Sequence, residues 1–481
     1  MGLTVCKRYS SGCDQCPRNT RIQLSSQHNE VKENKYVSIR NYKPRTIQDL
    51  RLQKGDHLQV LEEQGEWLYV AMRSQHGEIQ KGFIPREVLA VADSLESENW
   101  YFGVLNRLDA RRFLLNPRND DGAFQVWKNE EIGCYYLSVR CREQVRHYKI
   151  LGSEKSFHIV ERKQFRSLSE LVKYYSHTED GLCTRLKQPC VKLDVLSTGS
   201  LAHNTIDCLE IHPSSIKKIE MLGSGNFGNV WLAVWNETTK VAIKELNVSN
   251  SLKDILQEEA ETMRKLNHER LLKLYAICLK NEPAFIVTEF MKNGNLQTYL
   301  ETYQVEKNLE PHRLIDFAVQ VAQGMDYLET KHCIHRDLRT ANILLTGMLS
   351  CKIGDFGLAR FADDTSHQMS KGAKIPIKWM APEVFTEEKY SIKSDVWSFG
   401  ILLLEIMTYG IIPFPDISNI TYVRELIKGN ALIPPQDLPK NISNIMLICW
   451  RNNPSERPSF KELEKKLMEL LRSALAEEIL Y

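Results

Sequence analysis

An eight-residue stretch, HRDLRTAN over residues 335–342, places a carboxylate and an amide at a spacing that suits phosphoryl transfer. The Asp337 carboxylate can orient an acceptor hydroxyl and take up its proton, and the side-chain oxygen of Asn342 can bind Mg²⁺. Asp355, which is followed by Phe-Gly, can supply a second ligand, because magnesium prefers carboxylate, phosphate and water oxygens. These residues predict a metal-assisted transfer of a phosphoryl group to a hydroxyl.

A glycine-rich stretch further upstream, LGSGNFGNV, can hold the phosphates of a nucleotide. Glycines let the backbone approach phosphates closely and donate N–H groups to them. Dinucleotide-binding folds use the same GxGxxG spacing but continue into a helix, whereas the next residues here, VWLAV, alternate like a strand. A strand–loop–strand lid is therefore favoured. Its predicted nucleotide contacts are Leu222, Gly223, Ser224, Gly225, Asn226, Phe227, Gly228, Asn229 and Val230.

A lysine and a glutamate complete the predicted phosphate site. In the strand VAIK, alternation buries the valine and the isoleucine and leaves Lys244 on the opposite face with Ala242. An ammonium near phosphates needs a counter-charge, and Glu259 on a predicted amphipathic helix over residues 256–266 can provide it. Each residue alone would be interpreted as a solvated surface charge. Their order with HRD, DFG and APE makes coincidence negligible.

The elements that must position these residues fall into several units, since 481 residues exceed one core. Short alternating segments separated by Gly-containing turns predict a small all-β barrel, and strands flanked by two amphipathic helices predict an α+β unit. We predict a disordered segment (1–33), the barrel (34–92), the α+β unit (99–190), a linker (191–215), a large unit of strands followed by helices (216–471) and a short tail (472–481).

Composition excludes some other functions. The 63 basic and 61 acidic residues leave a net charge of +2, which gives no electrostatic preference for nucleic acid. The N-terminus has no apolar segment of a signal peptide, and the 12 scattered cysteines indicate reduced thiols, so a cytoplasmic location is predicted. The apolar stretch 396–414 contains Glu405, which indicates a buried core helix rather than a membrane span.

The first residues offer two weak signals. Gly2 after Met1 is a candidate for myristoylation, and Cys6, followed by two basic residues, is a candidate for palmitoylation; an unmodified tail is an equal alternative. Together the two lipids would hold the chain at the inner face of the plasma membrane. Cys13 and Cys16 form a CxxC that could share a metal with a partner, but free thiols are the favoured interpretation.

Residues 216–471 resemble a protein kinase domain, and specifically a tyrosine kinase. Serine/threonine members usually carry lysine two positions after the catalytic aspartate, where this chain has Arg339, and KIPIKW over residues 374–379 is similar to the substrate loop of tyrosine kinases. The resemblance implies ATP as phosphoryl donor and Mg²⁺, with Mn²⁺ as a second candidate, at Asn342 and Asp355. It implies catalytic roles for Asp337, Lys244, Glu259 and Arg339, and adenine contacts from Ala242, Thr288, Glu289, Met291 and Leu344.

The resemblance continues upstream. Residues 36–91 resemble a Src-homology 3 (SH3) domain, and residues 99–190, which begin Trp-Tyr-Phe-Gly, resemble a Src-homology 2 (SH2) domain. This order is that of the Src-related non-receptor tyrosine kinases, and the Frk/Brk/Srms branch is the expected group. The implied fold class is multidomain, with an all-β SH3 barrel, an α+β SH2 domain and a bilobal α+β kinase domain.

Both binding modules depart from the family pattern. In the SH3-like unit, Arg40 and Val88 stand where groove tyrosines are expected, which predicts weak or altered binding of proline-rich peptides. In the SH2-like unit, Trp127 replaces the arginine that normally grips phosphate, and an indole has one N–H and no charge. Glu130 and Glu131 would repel a dianion, although the secondary pocket residues Arg107, His147 and Lys149 remain. We predict that ordinary phosphotyrosine binding is lost.

The usual regulatory tyrosines are also changed. His367 aligns with the autophosphorylated tyrosine of the activation segment, and Tyr481 ends the chain without a tail around it. The linker between residues 191 and 212 lacks proline, so a clamp between the SH3 groove and the linker is predicted to be weak. We therefore expect the family's inhibitory contacts to be absent or altered.

Three functions are compatible with this sequence. The first is an active tyrosine kinase that phosphorylates protein substrates in intracellular signalling, and the presence of every chemical residue favours it. The second is a scaffold that binds partners through its SH3 and SH2 modules, with catalysis of minor importance. The third, a serine/threonine kinase, is disfavoured by Arg339.

Overall fold

The structure is a computed structural model of the 481-residue chain. It describes residues 35–73, 77–129, 133–142, 144–153, 156–192, 203, 209–225, 228–246, 250–305, 309–361, 376–430 and 432–477. Several predictions fall outside these ranges, namely those for Gly2, Cys6, Cys13, Cys16, Glu130, Glu131, Asn226, Phe227, His367 and Tyr481.

The first unit is an antiparallel five-stranded sheet built around a compact apolar core. Turn residues with positive φ at Gly55 and Gly65 separate its strands, because glycine adopts that conformation without steric cost. Leu58, Trp67 and Ile84 are fully buried between the strands. The strands, in sheet order β4-β3-β2-β1-β5, are β1 (Tyr36–Ser38), β2 (His57–Gln64), β3 (Trp67–Arg73), β4 (Ile79–Pro85) and β5 (Leu89–Val91).

The second unit is a five-stranded sheet with two short helices. Side chains cap both helices: Asn106 accepts from the N–H of Asp109, and Ser167 accepts from the N–H of Glu170. The sheet order is β10-β9-β8-β7-β6, and only the β6–β7 pair is parallel. The elements are β6 (Tyr101–Val104), α1 (Arg107–Leu114), β7 (Phe124–Lys128), β8 (Tyr135–Cys141), β9 (Gln144–Ser153), β10 (Ser156–His158) and α2 (Leu168–Tyr175).

The third unit begins with a sheet lobe. Its five antiparallel strands have the order β11-β12-β13-β15-β14, and β11 and β12 form the hairpin that carries the glycine-rich stretch. One helix packs beside the sheet. The elements are β11 (Ile216–Gly225), β12 (Gly228–Trp235), β13 (Thr239–Leu246), α3 (Asn250–Lys265), β14 (Leu274–Cys278) and β15 (Phe285–Glu289).

A mainly helical lobe completes the third unit. It contains α4 (Leu296–Glu301), α5 (Pro311–Thr330), β16 (Cys333–Ile334), β17 (Ile343–Leu345), β18 (Cys351–Ile353), β19 (Arg360–Phe361), α6 (Pro382–Glu387), α7 (Ile392–Met407), α8 (Asn419–Ile427), α9 (Lys440–Cys449) and α10 (Phe460–Glu477). Helix α7 is buried almost throughout. Across the described ranges, none of the helices has the length and apolarity required to span a bilayer.

The predicted fold class, an all-β unit, an α+β unit and a bilobal α+β unit, is confirmed. Side-chain contacts of Arg112 and Asn116 join the second unit to the helical lobe, and one of them runs from the Arg112 guanidinium to Ser350 Oγ at 3.4 Å. Arg112 on α1 pairs with Asp109 and donates across the junction to Asp316 on α5, and Asn116 lies beside the sulfur of Met348. Arg112 is buried there between two carboxylates, so the charges at this junction are paired.

Candidate active site

The sheet lobe positions Lys244 at the mouth of the cleft between the lobes. Val241 and Ile243 on β13 are fully buried, so strand alternation turns Lys244 toward the cleft, as predicted. Its ammonium donates to both carboxylate oxygens of Glu259 on α3, at 3.0 and 2.8 Å, and to Asp355 at 3.1 Å. The structure thus brings together three predicted site residues that are far apart in sequence.

Electrostatics favour the charged forms of Lys244 and Asp355, whereas burial raises the pKa of Glu259 against the attraction of Lys244. Burial lowers the pKa of Lys244, but the carboxylates of Glu259 and Asp355 outweigh burial and raise it above its ordinary value. The same ammonium holds the pKa of Asp355 below its usual range, against the effect of burial. An ammonium and a carboxylate are therefore both present in the cleft at neutral pH.

Asp337 follows β16 in the helical lobe and is held from two sides. The Arg339 Nε donates to Asp337 Oδ1 at 2.9 Å, and the Asn342 side-chain nitrogen donates to the Asp337 carbonyl at 2.8 Å. His335 Nε2 donates to the Gly354 carbonyl at 3.1 Å, which ties this loop to the one that carries Asp355. The arrangement fixes a carboxylate in the cleft and orients the side-chain oxygen of Asn342.

Two buried acids on α7 organise the backbone beneath these residues. Asp395 accepts from the N–H groups of His335, at 2.7 Å, and Arg336, at 3.0 Å. Burial raises the pKa of Asp395 to about 6, although His335 and these N–H groups oppose the shift. Asp395 was not identified from the sequence. Its signal was an ionisable residue inside an otherwise apolar helix, which is costly unless it is hydrogen-bonded.

Glu405 plays the corresponding part for the segment after Asp337. It accepts from the Thr340 N–H at 3.0 Å and hydroxyl at 2.8 Å, and from the Trp379 indole at 2.9 Å. Burial raises its pKa to about 7, against those hydrogen bonds. The Arg339 guanidinium lies 5.9 Å from the centre of the Trp379 ring, so Glu405 also positions the partner of Asp337 indirectly. The sequence showed Glu405 only as an interruption of an apolar stretch.

The predicted nucleotide contacts lie on the sheet lobe and the strands below it. Gly223 pairs with Val230, Ser224 with Asn229 and Gly225 with Gly228, which is the predicted strand–loop–strand. Ala242 on β13 pairs with Thr288 on β15, and Glu289 pairs with Val241. Leu222 is exposed, Val230 and Leu344 are half-buried, and Thr288 and Met291 are buried.

The donor set at the base of the cleft fits a hard divalent cation. The Asn342 amide uses its nitrogen on the Asp337 carbonyl, which leaves its oxygen as an acceptor. Asp355 has φ 58°, a left-handed conformation that turns this partly exposed carboxylate toward Lys244. Oxygen ligands of this kind match magnesium and manganese.

Arg336 does not depend on a phosphate for its position in this structure. Its guanidinium lies 4.9 Å from the centre of the Tyr390 ring, a cation–π contact. The activation segment after Phe361, from residue 362 to 375, lies outside the described residues. Separately, Glu383 and Arg457 form a buried bidentate pair at 2.6 and 2.8 Å.

In the second unit, Trp127 fills the place where the resemblance expects an arginine. Its side chain is buried, stacks on Tyr136 at 4.8 Å and donates its N–H to Ser138 Oγ at 2.7 Å. Ser138 Oγ also lies within hydrogen-bonding distance of His147 Nδ1, at 2.7 Å, and the hydroxyl donates to this nitrogen when the Nδ1 carries no proton. Burial and the nearby Arg107 and Arg111 lower the pKa of His147 to about 3. The pocket is therefore occupied by a neutral, internally bonded chain.

In the first unit, the groove is altered as well. Tyr42 and Val88 are buried, and Trp67 is fully covered. His203, the one described residue between 193 and 208, stacks on Phe83 with 3.6 Å between ring centres and an interplanar angle of 7°, and it hydrogen-bonds Gln64. The sequence predicted a weak clamp from the missing prolines, and this flat aromatic contact was not anticipated.

Comparison with protein-family models finds three matches in one order along the chain. A model described as protein tyrosine and serine/threonine kinase matches residues 216–467. An SH2 domain model matches residues 100–175, and a variant SH3 domain model matches residues 35–92. The kinase match covers the cleft that holds Lys244, Asp337 and Asp355.

Proposed function

Since this chain belongs to the protein tyrosine and serine/threonine kinase family, we propose that it is an active non-receptor tyrosine kinase that transfers the γ-phosphoryl group of ATP to tyrosine hydroxyls of protein substrates. The main support is the hydrogen bond from Arg339 to Asp337, at 2.9 Å, with Arg339 in turn beside Trp379. Serine/threonine members usually carry lysine at the position of Arg339, so this pairing favours a phenolic acceptor.

The proposed reaction follows from the positions of these groups. Asp337 orients the tyrosine hydroxyl and accepts its proton as the phenolic oxygen bonds to the γ-phosphorus. The bond between the γ-phosphorus and the bridging oxygen breaks, and ADP leaves with the electron pair. Lys244, held by Glu259, binds phosphate oxygens and keeps the nucleotide in line.

Asn342 and Asp355 are the proposed holders of Mg²⁺, with Mn²⁺ as the alternative ion. When bound, the ion neutralises negative charge on the phosphates. The chain's own contribution is to orient the two ligands through Asp337 and Lys244. The glycine-rich hairpin, with Ala242, Thr288, Glu289, Met291 and Leu344, is proposed to enclose the adenine and the phosphates.

The direct test is a kinase assay of the full-length protein with Mg-ATP and a poly-Glu/Tyr substrate. We expect Asp337→Asn to lower kcat by ~10²–10⁴-fold, because it removes the general base. Asp416→Asn, an exposed aspartate in the same lobe, serves as the matched control and should keep full activity. A second assay uses a protein substrate that offers serine, threonine and tyrosine hydroxyls, and phosphoamino-acid analysis of that product should find phosphotyrosine alone.

Three other results would contradict parts of this proposal. Phosphoserine in the product would overturn tyrosine specificity. Equal incorporation by wild type and Asp337→Asn would identify a contaminating kinase. No incorporation by either protein, with both folded, would favour the scaffold, in which the SH3 and SH2 domains bind partners without catalysis.

The location and the domain limits are part of the same proposal. We propose units at 34–92, 99–190 and 216–471, joined by the linker at 191–215. We further propose a cytoplasmic kinase that reaches the inner face of the plasma membrane through acylation of Gly2 and Cys6. Mass spectrometry of the N-terminal peptide from expressing cells should show both added masses, and an unmodified peptide would overturn the membrane contact.

A further inference from the structure

A cavity of about 300 Å³ lies at the junction of the SH3 and SH2 domains. The SH3 side contributes Arg40, Asn41 and Lys54, and the SH2 side contributes Glu98 and residues 188–192. Arg40 is one of the two departures in the SH3 groove, and here it lines a different surface. The volume is at the lower end of the range of about 300–1,000 Å³ for small-ligand sites.

The cations that line this cavity lack carboxylate partners. Among the residues that the structure describes, neither Arg40, Lys54 nor Lys192 forms an ion pair. Lys192 Nζ lies 3.4 Å from the carbonyl oxygen of Glu98 and 5.0 Å from the centre of the Phe102 ring. The positive charges therefore face the cavity with their hydrogen-bonding capacity largely unused.

Among the described residues, Glu98 offers the only carboxylate in this lining. One of its oxygens accepts from the Ser169 hydroxyl at 3.1 Å, so it is directed partly toward the SH2 surface. Three cations and one carboxylate leave two positive charges in excess. Because like charges of two domains converge, an occupant of opposite charge would lower the repulsion between the domains.

The ionisation of Lys192 agrees with an electropositive cavity. Burial is the main reason that the pKa of Lys192 falls to about 8, and the charges of Arg40 and Lys54 lower it further. The Cys190 side chain opposes the shift slightly, and the Glu98 carbonyl and the Phe102 ring also face the ammonium. A bound anion would favour the charged ammonium and raise this pKa again.

We propose that this junction is a binding site for a dianionic phosphate ester, which bridges the SH3 and SH2 domains. A doubly charged phosphate matches the excess of two positive charges, whereas a single carboxylate does not. Arg40 can form the bidentate hydrogen bonds that guanidinium groups make with phosphate. The side-chain amides of Asn41 and Gln188 can donate to the remaining oxygens.

This site differs from the ordinary phosphate pocket of an SH2 domain. That pocket is filled by Trp127, Ser138 and His147 on the central strands, while the proposed site lies where the chain enters and leaves the SH2 fold. Occupation would fix the two domains relative to each other, because Arg40 and Lys54 belong to one and Lys192 to the other.

The test is isothermal titration of the full-length protein with phenyl phosphate and, separately, with inorganic phosphate, at pH 7 and low salt. We expect Arg40→Gln and Lys192→Met each to weaken binding by about tenfold or more, since each removes a charged hydrogen bond. Lys81→Gln, an exposed lysine of the SH3 domain that does not line this cavity, is the matched control and should bind as wild type. Tighter binding of phenyl phosphate would identify an aryl phosphate ester, and equal binding of the two would identify a free phosphate group as sufficient.

A second readout separates binding at this site from binding in the nucleotide cleft. At pH 8 the titration should take up protons in wild type but not in Lys192→Met, because anion binding recharges Lys192. Arg40→Lys should bind more tightly than Arg40→Gln and less tightly than wild type. That result would also show that the SH3 domain tolerates a change at this position. Absence of binding to wild type, or binding unchanged by both Arg40→Gln and Lys192→Met, would overturn the proposal.

Discussion

The kinase cleft and the SH2 pocket both correspond to phosphate sites of the resembled family, and they retain different amounts of that chemistry. In the cleft, Lys244 keeps two carboxylate partners and its charge. In the SH2 pocket, Trp127 takes the place of the expected cation and passes its only N–H to Ser138. The SH2 strands can thus keep their packing while the pocket loses its ligand chemistry. A buried indole packs well in the core, although it lacks the charge with which a guanidinium binds phosphate.

The comparison also shows why a buried cation is stable in the cleft but costly at position 127. The Lys244 cation in the cleft has a partner within the protein itself, the Glu259 carboxylate. A cation at position 127 would need a bound phosphate to balance its burial, since an unpaired buried charge is costly. Replacing it by tryptophan removes that cost and stabilises the empty module.

The largest expected effect is a difference in kcat between two variants, each of which replaces one lysine in one of these two sites. Lys244→Met should lower kcat by ~10²–10³-fold, because a preorganised charge on the phosphates is lost. Lys149→Met removes the same charge from the SH2 side and should leave the kinase assay unchanged. Equal losses in both variants would mean that the SH2 domain contributes directly to catalysis, and the contrast between the two regions would fail.

The next effect concerns Trp127, the residue at which the SH2 pocket departs from the family pattern. Trp127→Arg should increase affinity for a phosphotyrosine peptide by ~10–100-fold over a wild type that binds weakly, because two charged hydrogen bonds become available. Fluorescence anisotropy with a labelled peptide, compared with its unphosphorylated form, measures the gain. Trp127→Phe is the control for packing and should gain nothing. Micromolar binding by the wild type would show that the pocket still works without its arginine.

The smallest effect is a pH dependence of the SH2 domain. The pKa of His147 is lowered to about 3, so between the ordinary value near 6.5 and that value the unfolded chain binds a proton that the folded chain does not. Stability from this group is therefore complete above pH 6.5 and falls as the pH decreases, by about 2 kcal/mol at pH 5.

Hydrogen exchange of amides in β7 and β8, at pH 7 and pH 5, can measure this loss. His147→Asn should remove that part of the pH dependence while other titrating groups keep theirs. If both proteins lost the same stability between these pH values, His147 would be protonated in the fold and the neutral chain from Trp127 would be wrong.

Local patterns were enough to predict much of the architecture. Alternation in VAIK correctly buried Val241 and Ile243, and the strand after the glycines correctly excluded a dinucleotide fold. Helix α3 begins at Asn250, six residues before its predicted start, because the periodic apolar positions identify the buried face and not the exposed first turns. The proposed site residues were selected from the order of the motifs, and their roles stay predictions.

Contacts between distant segments were harder to predict. Asp395 and Glu405 were missed because their carboxylates accept hydrogen bonds from backbone N–H groups about 60 residues earlier in the chain. The stacking of His203 on Phe83 depends on how the linker crosses the SH3 domain, and a missing proline motif says nothing about an imidazole.

The sequence by itself determined which chemical groups this protein owns and in what order, since residue types and short spacings are local properties. Only the tertiary structure decided which of those groups lie close together and how deeply each is buried. It brought Lys244, Glu259 and Asp355 within hydrogen-bonding distance, and it placed Arg40, Lys54 and Lys192 around one cavity. Charge and burial act through space over a few ångströms, and chain separation does not report those distances.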